Sequence, residues 1–152
     1  IDLKNNYMLL EDIKKINSMV VDEMDCKNKF KVFGLYRIKN NDSIIIKIKR
    51  YCNNEHKGSF PIKKCLNDLI GFRYILDCEY DLSFIKNKLE EYKNKHLNDV
   101  KIKILEQDKN GYNAIHFYIQ KNNLCLPWEL QIWRKKDIKN NDEAHFKKYG
   151  RY

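Results

Sequence analysis

The chain has 152 residues, enough for one domain that buries roughly two thirds of its unfolded surface. Its 30 lysines and arginines outnumber 21 aspartates and glutamates, so the net charge of +9 favours a polyanionic partner such as a nucleotide or an RNA, with a solvated lysine surface as the alternative. The five cysteines form no C-x-x-C pair, which argues against zinc or disulfide frameworks and favours reduced thiols in the cytoplasm, and no apolar run reaches membrane length.

In chain order, the first predicted element is an amphipathic helix at about 5–25, where apolar residues recur at helical spacing. A strand is predicted over Lys29–Lys39. Asp42 is the predicted N-cap of the next helix, which places Ser43 in its first turn and Lys47 one turn later on the same side.

The remaining predicted elements complete an α+β order. They are a strand at Gly71–Cys78, a helix capped by Asp81, a strand at Val100–Leu105, two strands within Lys109–Arg134 and a polar helix near Asp142. The connections are short and no repeat or interdomain linker is visible, so the sequence predicts a single domain.

The two strands between Lys109 and Arg134 each place their candidate functional residues on one face. A period of two groups Tyr112, His116 and Tyr118 on the first strand, and Glu129, Gln131 and Trp133 on the second. Because a carboxylate with apolar neighbours in a strand is costly to bury unless it is paired or binds a cation, Glu129 is a candidate catalytic or metal-binding residue.

The charged residues suit transfer of a phosphoryl or pyrophosphoryl group, which needs cations, metal-binding carboxylates and a base. Asp68 lies just ahead of one strand and Glu129 within another, so two neighbouring strands would bring the carboxylates together. The cations near the start of the second helix, which itself favours anions, are Arg37, Lys39 and Lys47. Ser43 in that first turn is a candidate phosphate donor. A G-x-x-x-x-G-K-[ST] loop is absent, so the chain is not a conventional P-loop kinase.

Four segments have a characteristic spacing. They are G-Y-x-x-I-H followed by E-L-Q-I, R-I-K-N-N-D-S-I-I-I-K from Arg37, D-L-I-G-F-R from Asp68, and D-E-A-H-F-K-K-Y from Asp142. Together they resemble the synthetase domain of the RelA/SpoT family of alarmone enzymes, from about Phe30 to the end of the chain. The resemblance implies one domain over 1–152, with only the helix at 5–25 outside the match. It also implies a mixed β-sheet of about five strands flanked by helices, of the nucleotidyltransferase type.

The resemblance implies transfer of pyrophosphate from ATP to an acceptor 3′-hydroxyl, with Mg²⁺ as cofactor. ATP would be bound by Arg37 and Arg73 through adenine, and by Lys39, Ser43 and Lys47 through its phosphates. Asp68 and Glu129 would hold magnesium, and Glu129 would also act as the base for the 3′-hydroxyl. On the acceptor side, Tyr112 would stack on the base, and His116 and Gln131 would orient the acceptor.

Each of these assignments has a structural alternative. The alternatives are a solvated basic face for Arg37, Lys39 and Lys47, a turn residue for Asp68, a buried ion-pair partner for Glu129, a core aromatic for Tyr112 and a satisfied core histidine for His116. For His145 in the last segment, a structural role and a functional role are equally open.

Two departures from the family pattern fall on the acceptor side. Trp133 stands where the family has an arginine, and Arg134 beside it should point to the opposite face. Ahead of Gly111, residues 107–110 lack the family's order of a basic residue, Pro and a small polar residue. Both changes weaken the expected binding of the 5′-phosphates of GDP or GTP.

Three functions therefore remain open. The first is an alarmone synthetase that makes ppGpp or pppGpp from ATP and GDP or GTP. The second is a toxin-type enzyme that pyrophosphorylates the 3′ end of tRNA, for which an antitoxin protein would be a sensible partner. The third is an inactive nucleotide-sensing domain, against which the intact Asp68 and Glu129 argue. No His-Asp dipeptide occurs, so the family's alarmone hydrolase is not encoded here.

Overall fold

Five strands form one mixed β-sheet in the computed structural model, which describes residues 33–55, 57–123 and 125–149. The strands are β1 Phe33–Ile38, β2 Ile70–Leu76, β3 Lys101–Lys109, β4 Tyr112–Gln120 and β5 Trp128–Arg134. Their order is β1-β2-β5-β4-β3, with β2 and β5 parallel and the other neighbours antiparallel. The predicted α+β fold with a mixed sheet of about five strands is confirmed, and the predicted helix at 5–25 lies outside the described residues.

Helices connect and flank these strands. They are α1 Asn41–Arg50, α2 Ile62–Cys65, α3 Leu82–His96 and α4 Ile138–Tyr149, with a π-helical turn at Tyr51–Glu55 and a 3-10 turn at Lys135–Asp137. Within the described ranges, no helix is both long and apolar enough to cross a bilayer.

The N-cap of α1 is Asn40, so the prediction of Asp42 was wrong. The Asn40 side chain accepts a hydrogen bond of 2.8 Å from the backbone N–H of Ser43. Asn caps helices as well as Asp does, and the extended backbone of Asn40 has the geometry that a cap requires. Asp42 instead lies in the first turn, where its charge favours the positive end of the helix dipole.

The hydrophobic core lies on one face of the sheet, where α3 packs. Apolar residues alternate along the three central strands on this face, and α3 contributes Leu82, Ile85 and Leu89, which recur at helical spacing. The strand residues of this core are Ile70, Phe72, Tyr74, Leu76, Ile102, Ile104, Ile115, Phe117, Ile119, Trp128, Leu130 and Ile132. The alternate residues of the same strands therefore point away from this core, and they include most of the predicted functional side chains.

A tight hairpin joins β3 to β4. Asn110 and Gly111 both have positive φ, 56° and 81°, as a two-residue type I′ turn requires. This turn pairs Lys109 with Tyr112 and extends β3 four residues beyond the predicted end at Leu105. The segment ahead of Gly111 is thus regular strand, and Tyr112 begins β4.

Candidate active site

Strand register brings the predicted residues together in two rows on the face opposite the core. Arg37, Gly71, Glu129 and Tyr118 are successive partners across β1, β2, β5 and β4. The neighbouring row contains Leu35, Arg73, Gln131 and His116. The parallel pairing of β2 with β5 therefore sets the positions of the central charged and polar groups.

Gly71 creates the space through which Arg37 crosses the sheet. A Cβ atom on Gly71 would lie 3.2 Å from Nε and 3.3 Å from Cγ of Arg37, closer than such contacts normally allow. With no side chain at that position, the guanidinium Nη2 of Arg37 reaches to 3.6 Å from the Glu129 carboxylate and 4.0 Å from that of Asp68. One cation thus lies between the two predicted metal-binding carboxylates.

Asp68 is held by the two lysines that were predicted to bind phosphates. A hydrogen bond of 2.8 Å from the Lys39 backbone N–H to the carbonyl of Leu69 joins the end of β1 to the start of β2. Asp68 then accepts from Nζ of Lys39 at 2.7 Å and from Nζ of Lys47, on α1, at 2.8 Å. Lys47 also donates to Asn67 at 3.0 Å.

The Asp68 carboxyl is ionised because its lysine partners outweigh its burial. Burial alone would raise its pKa, but the hydrogen bonds and charges of Lys39 and Lys47 lower the pKa below the ordinary aspartate value. Ser43 lies one turn before Lys47 in the first turn of α1, and its backbone N–H donates to Asn40.

Glu129 is buried, with 3% of its surface exposed, and its carboxylate is paired on both oxygens. His116 Nδ1 lies 2.8 Å from Oε1, and Gln131 donates from Nε2 to Oε2 at 2.9 Å. Burial would raise the pKa of this carboxyl and the charge of Asp68 opposes its ionisation as well, but the contact with His116 and the charge of Arg37 lower its pKa. The result is a buried carboxylate that remains charged.

A hydrogen-bonded chain extends from Glu129 through His116 to Tyr112. The Tyr112 hydroxyl lies 2.9 Å from His116 Nε2, so both imidazole nitrogens have partners. Burial raises the pKa of the Tyr112 hydroxyl well above its usual range, so the phenol is neutral. Tyr118, opposite Glu129, is also neutral, because burial, the Glu129 charge and their hydrogen bond raise its pKa.

Arg73 has its guanidinium fixed by two residues of β5. Its Nε and Nη2 donate to the Gln131 side-chain oxygen at 3.2 Å and 3.1 Å. Its Cζ lies 3.5 Å from the centre of the Trp133 ring, which is in the range of close cation–π stacking. Trp133, which the sequence placed on the same strand face as Glu129 and Gln131 without a role, thus lies at the site.

Aromatic rings from three elements pack around Tyr112. Its ring lies edge-on to Trp133, with centroids 5.9 Å apart, and to His145 of α4, with centroids 5.5 Å apart. The Tyr112 ring, which is predicted to stack on the acceptor base, therefore packs against Trp133 and His145 in this structure. Arg134, as expected, faces away from the site and pairs with Asp137 and Asp81.

Two supporting residues were not predicted. Asn141 of α4 is fully buried and clamps the start of β4, accepting from Asn113 N at 2.7 Å and donating to Asn113 O at 2.8 Å. Asn67 supports Lys47, and its place next to Asp68 was the only signal for it. Nothing in the polar α4 sequence distinguishes Asn141 from Asn140 except the helical phase that buries it.

The charge balance of the site suits an anionic ligand. Two carboxylates, Asp68 and Glu129, face four permanent cations, and the excess of two positive charges comes from side chains that already lie close together. The cations are Arg37, Lys39, Lys47 and Arg73. A phosphate chain can replace Asp68 as the partner of the two lysines, and the Asp68 carboxylate then needs another cation as its partner.

The donor set also fits magnesium. In the part of the chain that is described, no group of three or more His, Cys, Asp and Glu residues is arranged to hold a metal on its own. Magnesium is commonly held by one or two carboxylates together with substrate phosphates and water, and Asp68 and Glu129 provide two hard oxygen donors around one cation position.

Comparisons with known proteins identify the family and the fold of the chain. Residues 36–151 match the region found in RelA and SpoT proteins. No curated protein matches the sequence. The fold is similar to that of the small alarmone synthetase 1 from Bacillus subtilis bound to its product pppGpp, with a TM-score of 0.59 and 15% identity over 97% of this chain and 78% of that one. A GTP pyrophosphokinase family protein from Streptococcus pneumoniae is also similar, with a TM-score of 0.55 and 15% identity over 99% of this chain and 80% of that one.

Proposed function

Because the chain belongs to the RelA/SpoT family, we propose that it is a pyrophosphokinase that transfers pyrophosphate from ATP to the 3′-hydroxyl of GDP or GTP. The observation that carries the proposal is the buried, ionised Glu129, set between His116 and Arg37 and facing the Asp68–lysine cluster. A buried, charged carboxylate is costly to maintain for structure alone. A charged carboxylate is also the base that can remove the proton of an acceptor hydroxyl.

On the donor side, Lys39, Ser43 and Lys47 bind the ATP phosphates. The two lysines are already within hydrogen-bond distance of Asp68, so a phosphate chain entering the site exchanges one anionic partner for another. The N-terminal turn of α1 adds its backbone dipole to the same site. Arg37 and Arg73 bind the adenine through their guanidinium planes, which stack on an aromatic base as a lysine ammonium does not.

Asp68 and Glu129 would hold magnesium, which would neutralise the charge of the phosphates during transfer. Because its lysine partners keep the Asp68 carboxylate ionised, this group is in the charged form that a metal ligand requires. Release of Lys39 and Lys47 towards the phosphates leaves its oxygens available as ligands.

In the transfer step, the acceptor 3′-oxygen attacks the β-phosphorus of ATP. A bond forms between that oxygen and phosphorus, the bond from phosphorus to the α,β-bridging oxygen breaks, and AMP leaves with the electron pair. Glu129 takes the proton of the 3′-hydroxyl, and His116 stabilises the carboxylate orientation from Nδ1. Gln131 donates to the other oxygen of Glu129, so His116 and Gln131 together fix the orientation of the carboxylate.

On the acceptor side, Tyr112 stacks on the base, and His116 and Gln131 orient the acceptor. Tyr112 begins β4 directly after the Asn110–Gly111 turn, and Asn141 fixes the backbone of the next residue. The ring must leave its contacts with Trp133 and His145 to stack on a ligand, or the base must take a place beside them.

A second candidate is pyrophosphorylation of the 3′ end of tRNA. The observation that favours it is on the acceptor side, where Trp133 is a buried aromatic residue in place of a cation and Asp108 is exposed in β3. Neither residue offers a positive charge to the 5′-phosphates of a GDP or GTP acceptor. The 3′-terminal nucleoside of a tRNA has no free 5′-phosphates, so it does not need such a charge. A third candidate, an inactive nucleotide-binding domain, would bind ATP without transfer.

Transfer of label distinguishes the three candidates. The purified chain is incubated with γ-labelled ATP, magnesium and either GDP, GTP or deacylated tRNA. Label on the guanosine nucleotides supports the alarmone synthetase, and label on tRNA supports the second candidate. ATP binding without any labelled product would overturn both enzymatic proposals in favour of the inactive domain. The Glu129→Gln variant serves as the inactive control for all three acceptors.

A further inference from the structure

Trp133 lies directly beneath the guanidinium of Arg73. The distance from Arg73 Cζ to the ring centre is 3.5 Å, and the indole is 1% exposed. The two residues lie on adjacent parallel strands, where Trp133 pairs with Ile75 and Arg73 pairs with Gln131, so the contact is a diagonal one on the site face of the sheet.

Hydrophobic filling alone does not explain a tryptophan at this position. Its Nε1 is buried and, among the described residues, makes no hydrogen bond of normal geometry, although it lies close enough to the Tyr112 hydroxyl to lower the pKa of that group. An indole N–H that is removed from water without a well-aligned partner is destabilising, and a purely apolar side chain would avoid this cost. Tryptophan, however, has the aromatic face that attracts a cation most strongly. The cation–π contact therefore distinguishes Trp133 from a leucine, and the strength of that contact distinguishes it from a phenylalanine.

Two constraints on Arg73 come from perpendicular directions. Gln131 holds the edge of the guanidinium through Nε and Nη2, within the plane of the group. Trp133 covers one face of that plane. Together they determine both the tilt and the rotation of the guanidinium.

We propose that Trp133 is a positioning residue that fixes Arg73 in the orientation for stacking on the ATP adenine. The inference rests on the proposed function, since it takes Arg73 as an ATP-binding residue. It gives the tryptophan a role on the donor side, whereas the family pattern has a cation there. An arginine with a preset orientation loses less conformational freedom when the base binds, which strengthens binding without a new contact to the ligand.

The test measures binding of a non-hydrolysable ATP analogue by isothermal titration. Trp133→Leu should weaken binding about tenfold, and Trp133→Phe, which keeps a weaker aromatic face, about threefold. Arg73→Ala should weaken binding by a similar factor, and adding Trp133→Leu to it should cause little further loss, because the tryptophan acts through the arginine. Equal losses from Trp133→Leu with and without Arg73 would overturn the proposal, as would unchanged affinity in Trp133→Phe and Trp133→Leu.

A control and a spectroscopic readout separate positioning from folding. Trp128→Phe changes the other tryptophan, which packs edge-on against Phe72 in the core, and it should leave analogue binding unchanged. In that background Trp133 is the only indole, so its fluorescence reports the contact directly. Arg73→Ala should alter this emission, and an unchanged spectrum would contradict the stack. If the wild type binds no ATP analogue, the proposed function fails, whereas the emission change still tests the Trp133–Arg73 contact by itself.

Discussion

Arg37 reaches Glu129 across an intervening strand, with 3.6 Å between Nη2 of the arginine and Oε2 of the glutamate. The residue between them in the sheet is Gly71, which pairs with both. Because the glycine has no side chain, a cation from the edge strand reaches the buried carboxylate on β5. This row of residues thus links Arg37, a candidate for ATP binding, to Glu129, the proposed base. The link depends on the absence of a side chain at Gly71.

Gly71→Ala should therefore impair the enzyme by displacing Arg37. Its Cβ would lie 3.2 Å from Arg37 Nε, and the flexible arginine would move more easily than the strand backbone. We expect ATP-analogue affinity to fall by up to the effect of Arg37→Ala, on the order of 1–2 kcal/mol for loss of a cation–π contact. Isothermal titration measures the affinity, and thermal unfolding should show little change.

A double-mutant cycle provides the control for this prediction. If Gly71→Ala acts through Arg37, the variant with both Gly71→Ala and Arg37→Ala should bind the analogue as weakly as Arg37→Ala alone. Additive losses would show that the alanine disturbs the site by another route.

Glu129→Gln should abolish transfer while preserving the fold and ATP binding. The amide retains the shape of the carboxylate but has neither its charge nor its basicity, so we expect the rate to fall by about 10²- to 10⁴-fold, the usual range for a general base. Single-turnover transfer of labelled pyrophosphate measures the rate. Glu106→Gln, at an exposed position on β3, is the matched control. Turnover near that of the wild type in Glu129→Gln would exclude Glu129 as the base.

The sequence carried more information about strand faces than about side-chain partners. The period of two in β4 and β5 correctly placed His116, Glu129 and Gln131 on one face, and the hydrogen bonds between them confirm their proximity. The parallel register of β2 against β5 is set by long-range pairing, however, and periodicity within one strand contains no information about it. The Arg73–Trp133 contact, which depends on that register, could not be predicted.

Competition between neighbouring residues explains the other differences between the predicted and the observed structure. Asn40 and Asp42 are both good caps, and the backbone conformation at the end of β1 decided between them. The two lysines predicted to bind phosphates contact Asp68, a pairing that the sequence did not show, because charged groups in a partly buried site pair with a nearby opposite charge. The Asn110–Gly111 turn was readable as a type I′ hairpin signal, and recognising it would have extended β3 to Lys109.

Acid should destabilise the protein partly through Asp68. Its pKa in the folded state lies below the ordinary value of about 3.9, so its contribution to stability is fully present above that value and is lost as pH falls towards the folded-state pKa. In Asp68→Asn the free energy of unfolding should fall less steeply below about pH 5, by at most ~1.4 kcal/mol per pH unit, since one proton fewer is bound. Urea unfolding at a series of pH values measures the slopes. Asp99→Asn, at an exposed position, is the control, and parallel slopes for wild type and Asp68→Asn would contradict the prediction.

The two parts of Tyr112 should have separable effects. Its ring is the proposed stacking surface for the acceptor base, and its hydroxyl contacts His116 Nε2 at 2.9 Å. Tyr112→Ala should weaken acceptor binding by about 1–3 kcal/mol, the range for base stacking on an aromatic side chain. Tyr112→Phe should retain most of that affinity. Steady-state transfer at varied acceptor concentration measures both, and equal losses in the two variants would assign the effect to the hydroxyl instead of the ring.

Salt dependence should distinguish a tRNA acceptor from a mononucleotide. A tRNA contacts several phosphates outside the pocket, so its binding should weaken with a log–log slope of about −0.7 for each single-strand phosphate neutralised. Lys139 and Lys147 are exposed on α4, the helix that also carries His145 beside Tyr112.

Replacing both lysines with glutamine should therefore lower modification of tRNA and reduce its salt slope, while any transfer to GDP or GTP is spared. The same change at Lys93 and Lys95 of α3, on the core side of the sheet, is the control. Because the buried Trp133 and the exposed Asp108 provide no acceptor-side cation, transfer to free GDP or GTP should also be weak. Efficient, salt-insensitive synthesis of ppGpp by both lysine variants would exclude the tRNA candidate and support a small alarmone synthetase.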